Sequence, residues 1–398
     1  MNAMRTELLD RLNRWMRGGR RRGAIAADDA PAPPVVESDA GTDRDLIVPR
    51  LCAEPWYVDK VAIEGDRLYA AGWSMAVPGQ PEPPQGWFTV NGRRFDAMRY
   101  PFPRPDVGAV FWMREGASLC GFEGTIERIA EPYPDGVLEI RRIVADTPGV
   151  ERGRDSWFKP DPALHANLPD EDRRFRVIGD RDPNGFLISG ATDFHRIDRA
   201  ALGAAGRRLH EFDRVLDWGA GCGRVARHFP VGAADRLTGC DIDGDNVDWC
   251  AANLRGTFVR CAMSPPLPFP DASFDAVYGV SVFTHMREPM QLLWLEELAR
   301  ITAPGAWVFV TVHGRTAIDF SRPSPSEYRR LLGEVASNGI VFNGANTQLD
   351  GHAEHGGEYV NVLHGSDYIR RVWSRFFAVK HILPGYILHH DLVVLRKP

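Results

Sequence analysis

Hydrophobic and polar positions recur in several rhythms along this chain, and each rhythm predicts a different element. Leu8, Leu9, Leu12, Trp15 and Met16 fall at helical spacing among seven arginines between Arg5 and Arg22. That pattern predicts a basic amphipathic helix, able to meet an anionic membrane or a partner protein, or else a solvated tail. Residues 24–45 are rich in Ala, Pro and Asp and predict a flexible linker, so residues 1–45 stand apart. Over residues 46–150 the rhythm shortens to alternating runs such as VDKVAIEGDRLYAAGWSMAV, QGWFTVNGRRFDAMRY and GVLEIRRIVAD. Separated by Gly, Pro and Asp, these runs predict an antiparallel β-sandwich, with Asn91-Gly92 marking a two-residue hairpin. A Pro-rich crossover begins at 151, and a helix is expected over 191–209.

Candidate chemistry starts at VLDWGAGCGR, residues 215–224. Val215 and Leu216 predict a buried strand that closes on Asp217, and Gly219, Gly221 and Gly223 then alternate through a turn. RVARHF reads as the start of a helix. Glycines permit positive φ and remove Cβ atoms that would hold a ligand away from the backbone. Amides at a helix N-terminus would face a bound anion. The order, acid then G-x-G-x-G, differs from the dinucleotide fingerprint G-x-G-x-x-G. Next, RLTGCDIDGDNVDWCAANL predicts a short strand ending in Asp241, then a helix. Asp241, about 20 residues past the glycines, is placed to bind two ribose hydroxyls. Asp243 competes for that role, although Asp243 or Asp245 better suits the helix cap.

VLDWGAGCGR, GCDID, PPLPFPDASFDAVYGVSVFTHM and LEELARITAPGAWVFVTVHG together resemble a class I S-adenosylmethionine-dependent methyltransferase. The resemblance runs from about residue 186 to the C-terminus. It implies an α/β fold, a Rossmann-like seven-stranded methyltransferase domain over residues 151–398, with HHDLVVLRKP as the antiparallel seventh strand. It implies S-adenosyl-L-methionine as cofactor, its amino group near Asp217, its carboxyl end near Gly219, Gly221 and Gly223, and its ribose on Asp241. Where the family often has an acid for adenine, this chain has Met263, which suits a ring face or serves as core filler. Residues 151–214 would cap the pocket, with Gly190 and His195 bordering the methionine moiety or simply packing over the sheet. The pieces AAGWSMAV, FPRPDVGAV and CGFEGTIE resemble β-sandwich modules that accompany bacterial sugar-modifying enzymes. There Trp73, Trp87, Phe88 and Trp112 are either a sugar-stacking face or core bulk.

Methyl transfer to an alcohol needs in-line positioning and benefits from a base near neutrality, for which histidine is suited. His285 follows the fourth strand and His313 the fifth, at the strand ends where ligands sit in open α/β sheets. Both are candidate catalytic residues, or else structural loop histidines. Residues 315–375 form a long substrate-side insertion between the fifth and sixth strands. Tyr359 and His364 are its candidate substrate contacts. His352 and His355 invite a metal reading, but Gly356-Gly357 argues against the rigid helix it needs, and no metal is expected.

The net charge of −5 over 398 residues disfavours nucleic acid as a partner. Six cysteines without a C-x-x-C pair suggest reduced thiols, and no apolar run approaches a membrane span. The expectation is a cytoplasmic enzyme, with its arginine-rich N-terminus able to make it peripheral to the inner face of the membrane. Its expected reaction is O-methylation of a saccharide or glycan hydroxyl. The alternatives are a small-metabolite or lipid-linked acceptor, or a non-catalytic platform of the same fold whose β-module binds a glycan or partner. A nicotinamide-dependent oxidoreductase is opposed by the glycine spacing.

Overall fold

The computed structural model describes residues 55–75, 88–147, 150–165, 167–345 and 360–398. The arginine-rich helix, the linker, Trp87, His352, His355 and Tyr359 lie outside them. Among the described residues, no helix is long and apolar enough to cross a membrane.

Among the described residues, eight strands build the N-terminal part: β1 (Trp56–Glu64), β2 (Arg67–Ser74), β3 (Phe88–Val90), β4 (Arg93–Arg94), β5 (Ala97–Pro103), β6 (Leu119–Ile126), β7 (Val137–Thr147) and β8 (Val150–Pro160). They form two four-stranded antiparallel sheets, ordered β1-β2-β6-β5 and β4-β3-β7-β8. Asn91 and Gly92 take φ of 50° and 80° between β3 and β4, the mirror-image turn that matches strand twist. Leu68, Ala70 and Phe122 from one sheet share a buried cluster with Phe88, Leu138 and Ile140 from the other. Because β8 pairs with β7 as far as Pro160, the N-terminal unit runs past the boundary expected at 150. Trp73 and Phe88 belong to the core.

α1 (Pro105–Val110) lies within this part; α2 (Glu171–Ile178) and α3 (Pro183–Ala205) follow it. α3 begins earlier than the expected 191. Asp182 accepts from the amides of Asn184 and Gly185, and Pro183 occupies the first turn, where its missing N–H costs nothing.

The second part is built on β9 (Val215–Trp218), β10 (Leu237–Asp241), β11 (Thr257–Arg260), β12 (Phe274–Gly279), β13 (Thr302–Val312), β16 (Ala378–Ile387) and β17 (His390–Arg396). Their order is β11-β10-β9-β12-β13-β17-β16, with β17 antiparallel to β13. Period-two alternation assigns each side chain to a face. Leu216, Val277, Val308, Val310 and Val393 pack on one side with Trp294 and Leu298 of α5 (Glu288–Ile301), which follows α4 (Gly244–Asn253). Val215, Ala276, Tyr278, Phe309 and Val394 pack on the other against Phe194 and Ile197 of α3. Apolar residues on both faces explain why these strands read as continuous hydrophobic runs.

Between β13 and β16 lie α6 (Arg315–Phe320), α7 (Pro325–Asn338), the β14–β15 pair (Ile340–Ala345 and Val360–His364) and α8 (Ser366–Trp373). One expectation fails at the glycine turn. No α-helix follows Gly223; Ala226–His228 forms a single 3-10 turn. Phe229 precedes Pro230 and is extended, since proline clashes with a helical residue before it.

Candidate active site

A cavity opens where β9, β10 and β12 end, with α2 leaning over it through Arg176 and Val177. Asp217 stands one residue before the end of β9 and is 3% exposed. Its Oδ2 is buried without a hydrogen-bond partner. Burial pushes this carboxyl up to about 7; the Tyr278 hydroxyl and the Arg224 guanidinium oppose the shift, and the Asp241 charge adds to it. A buried carboxylate with an unsatisfied oxygen is costly unless a cation meets it.

Asp241 also lines the cavity. Its Oδ2 accepts from the Gly221 amide at 2.7 Å and its Oδ1 from the Asp243 amide at 2.9 Å. Burial still carries it up to about 6. Asp243 is spoken for: it caps α4 through the Asn246 amide and accepts from Arg176 Nε at 2.9 Å. Asp243 thus fills the helix-cap role expected of it, and both acids line the cavity.

The three glycines do different work. At Gly219 (φ +78°) a Cβ would stand 2.5 Å from Val282, and at Gly221 (φ +53°) 2.8 Å from Val177. Both residues line the cavity, and there only glycine keeps the wall clear. Gly223 (φ +74°) instead faces Leu254, 2.2 Å from where its Cβ would be, and is not among the lining residues. The amides of Gly219 and Ala220 donate to the Cys240 carbonyl at 2.9 and 3.0 Å, so neither offers itself to an anion. Arg176, Arg224 and Arg287 line the cavity, and Arg224, next to the glycine turn, donates to Asp193 Oδ2 at 2.5 Å. Sequence reasoning missed Arg224 and Arg176. Arg224 directly follows the last glycine and could have been noticed; nothing local marks Arg176.

Met263 lines the wall with Trp294, whose Nε1 donates to the Met263 carbonyl at 3.2 Å. Gly190 and His195 are not lining residues. A Cβ on Gly190 would sit 2.1 Å from the Arg224 carbonyl, so this glycine lets α3 cross the glycine turn closely. His195 stacks on Phe158 with ring centroids 4.5 Å apart.

His285 ends a 3-10 turn after β12, lines the cavity and is 5% exposed. Its Nε2 lies 3.2 Å from Ser281 Oγ. Burial, aided by His389 and opposed by a hydrogen bond to the Val360 backbone, lowers it to about 3. His313 is buried behind it, with ring centroids 6.1 Å apart, and is not a lining residue. His364 does not reach the cavity either. It is buried, bonds Gln291 Oε1 at 3.0 Å and packs against Trp373, which argues against its role as a substrate contact.

A buried carboxylate with one unpartnered oxygen, a ribose-suited acid and a glycine wall fit a cationic amino-acid nucleoside such as S-adenosylmethionine. Comparison with known proteins agrees. Residues 216–310 match the family described as a methyltransferase domain. The fatty-acid O-methyltransferase of Mycolicibacterium smegmatis is 29% identical over 195 residues, 46% of this chain and 69% of that protein. A probable S-adenosylmethionine-dependent methyltransferase of the same organism is 28% identical over 220 residues, 51% of this chain and 79% of its own. The chain is also similar to the Burkholderia thailandensis 1,6-didemethyltoxoflavin-N1-methyltransferase structure, solved with S-adenosylhomocysteine (TM-score 0.37, 17% identity, 61% of this chain and 95% of that one). Residues 216–310 therefore carry a class I methyltransferase domain, and the chain is an S-adenosylmethionine-dependent methyltransferase.

Proposed function

We propose that this methyltransferase modifies an oxygen of a small hydroxyl-bearing acceptor, with a saccharide or glycan hydroxyl as the first choice. The observation that carries the oxygen reading is His285, a ring uncharged at neutral pH on the cavity wall. Its Nε2, 3.2 Å from Ser281 Oγ, would accept from an acceptor hydroxyl when the Ser281 hydroxyl turns to Thr284 Oγ1, 3.0 Å away. With a pKa near 3 it orients the acceptor hydroxyl rather than storing its proton, which would pass to solvent water as the oxygen–methyl bond forms and the sulfur–methyl bond breaks. The polar 315–375 insertion and the two N-terminal sheets, read as a β-sandwich accessory domain, support a saccharide. The similarity to a fatty-acid O-methyltransferase supports a lipid-linked or small-metabolite acceptor as the second choice.

When bound, S-adenosylmethionine supplies a methyl group on a sulfonium, open to in-line displacement. Asp217 would hold its ammonium, Arg224 its carboxylate and Asp241 its ribose hydroxyls, while Met263 and Trp294 wall the adenine. Purified enzyme given trideuteromethyl cofactor and a panel of saccharides, glycan extracts and fatty acids should label one class, read by product mass. Labelled sugars support the first choice, and label confined to fatty acids replaces it with the second. His285→Ala should lower turnover about tenfold, the loss of one orienting hydrogen bond, while retaining affinity for S-adenosylhomocysteine. A wild-type rate would remove His285 from the reaction.

Cofactor affinity should depend on pH with a definite sign. Asp217 must be ionised to hold an ammonium, and it titrates at about 7. One unit below that, about a tenth is ionised, so affinity for S-adenosylhomocysteine should fall about tenfold from its plateau. Above about pH 8 the ligand's own amine loses its proton, which closes the profile on the alkaline side. Stability runs the other way: a carboxyl raised by folding favours the folded state at low pH, and that support is lost as pH rises through about 7. Calorimetric titration from about pH 5.5 to 8.5 spans the binding limb, and a flat profile would exclude Asp217 as the ammonium partner.

A further inference from the structure

Behind the cavity, His313 at the end of β13 meets His389 and His390 at the turn into β17. One ring nitrogen from each lies within 4.8 Å of the other two, and all three residues are buried. His313 Nε2 and His390 Nε2 are 3.0 Å apart. The ring centroids of His389 and His390 lie 4.1 Å apart, and those of His313 and His390 4.8 Å apart. We propose that His313, His389 and His390 form a binding site for one divalent first-row transition cation of the zinc class.

Three arguments support it. Zinc–imidazole bonds of about 2.0–2.1 Å put tetrahedral ligand nitrogens about 3.4 Å apart, which these rings reach with modest shifts. The His313 ring also hydrogen-bonds the backbone at Val362, and its Nε2 faces His390. A metal-ligating histidine commonly donates its other ring N–H to a carbonyl in this way. Finally, all three residues are buried, so a cation bound between them would be shielded from competing water. The neighbouring Asp391 carboxyl, buried and accepting from the Gly385 amide at 2.9 Å, is the nearest acid on the same hairpin. Imidazole ligands suit zinc, cobalt and nickel rather than magnesium or calcium. A cation here would tie the end of β13 to the β16–β17 hairpin directly behind His285. This assignment is independent of which acceptor is methylated.

The test uses the full chain without a histidine tag, stripped by chelator and titrated with cobalt(II). One equivalent should give visible ligand-field bands, displaced by one equivalent of zinc, and zinc should raise the melting temperature. His313→Ala and His390→Gln should each lose the bands and the thermal shift. The double variant His352→Ala/His355→Ala should keep both, since those histidines lie in a different segment. Absence of bands in the wild-type chain, which needs no variant to fold, would overturn the site. So would bands that survive in both His313→Ala and His390→Gln. Bands lost only in the 352/355 variant would mean an adventitious ion on that segment and would equally overturn it.

Discussion

Asp217→Asn is expected to weaken S-adenosylhomocysteine binding about a hundredfold at about pH 7.5, since a charge-assisted hydrogen bond contributes about 1.5–3 kcal/mol. The substitution keeps the shape of the side chain and removes the charge. The free protein should respond in the opposite direction. Asp217 is buried, its Oδ2 has no hydrogen-bond partner, and its pKa is raised, so its ionised form costs the empty fold free energy. The Asp217→Asn variant should therefore unfold in urea at a midpoint no lower than the parent at about pH 8. The two measurements together separate a binding role from a structural one. A carboxylate that merely held the fold would lower the midpoint and leave calorimetric affinity intact, which would sink the cofactor assignment.

Trp373→Ala is expected to cost about 3–5 kcal/mol of unfolding free energy, the range for deleting a fully buried large aromatic. Trp373 is completely buried at the end of α8. Its ring centroid lies 4.8 Å from Phe283 and 6.1 Å from His364. It belongs to the cluster that covers one face of the seven-stranded sheet. Its Nε1 makes no hydrogen bond, so the loss is one of packing alone, and Trp373→Phe should recover most of it. Urea denaturation of both variants checks this. A loss below about 1 kcal/mol for alanine would mean the insertion packs independently of the sheet. Phe283 precedes His285 by two positions in the same turn, so the alanine variant should also slow turnover.

Much of this architecture was legible because period and punctuation agree locally. The central strands carry apolar residues on both faces, and Asp241 ends its strand as the sequence pattern predicts, while Asp217 stands one residue before the end of its own. The Asn91-Gly92 hairpin needed only two residues to announce itself. The rest required contacts that no local window contains. Pro230 cut the helix expected after the glycines to one 3-10 turn. The β7–β8 pairing carried the N-terminal unit through residues that read as the start of a Pro-rich crossover. Arg176 reaches the cavity only because α2 folds over it, and its partner Asp243 lies 67 positions away. His313 and His390 are 77 positions apart and meet because β17 inserts between β13 and β16. His364 looked like a substrate contact because polar residues in an insertion usually face solvent, yet its ring is sealed by Gln291 and Trp373.

The junction between the N-terminal sheets and α6 has a practical consequence for anyone trimming the chain to its catalytic half. Asp319 is buried on α6, with its side chain 1% exposed. It receives Arg114 Nε at 3.0 Å and the Tyr328 hydroxyl at 3.0 Å. Phe320 beside it meets Phe111 edge-on at 4.9 Å and His389 at 5.9 Å. Cutting the chain after β8 would strip Asp319 of its guanidinium and bare Phe320 to water, leaving a stranded charge next to an apolar patch. An excised catalytic half should aggregate or loosen first around β17. Asp319→Asn with Phe320→Ser is the pair of changes that would let it stand alone.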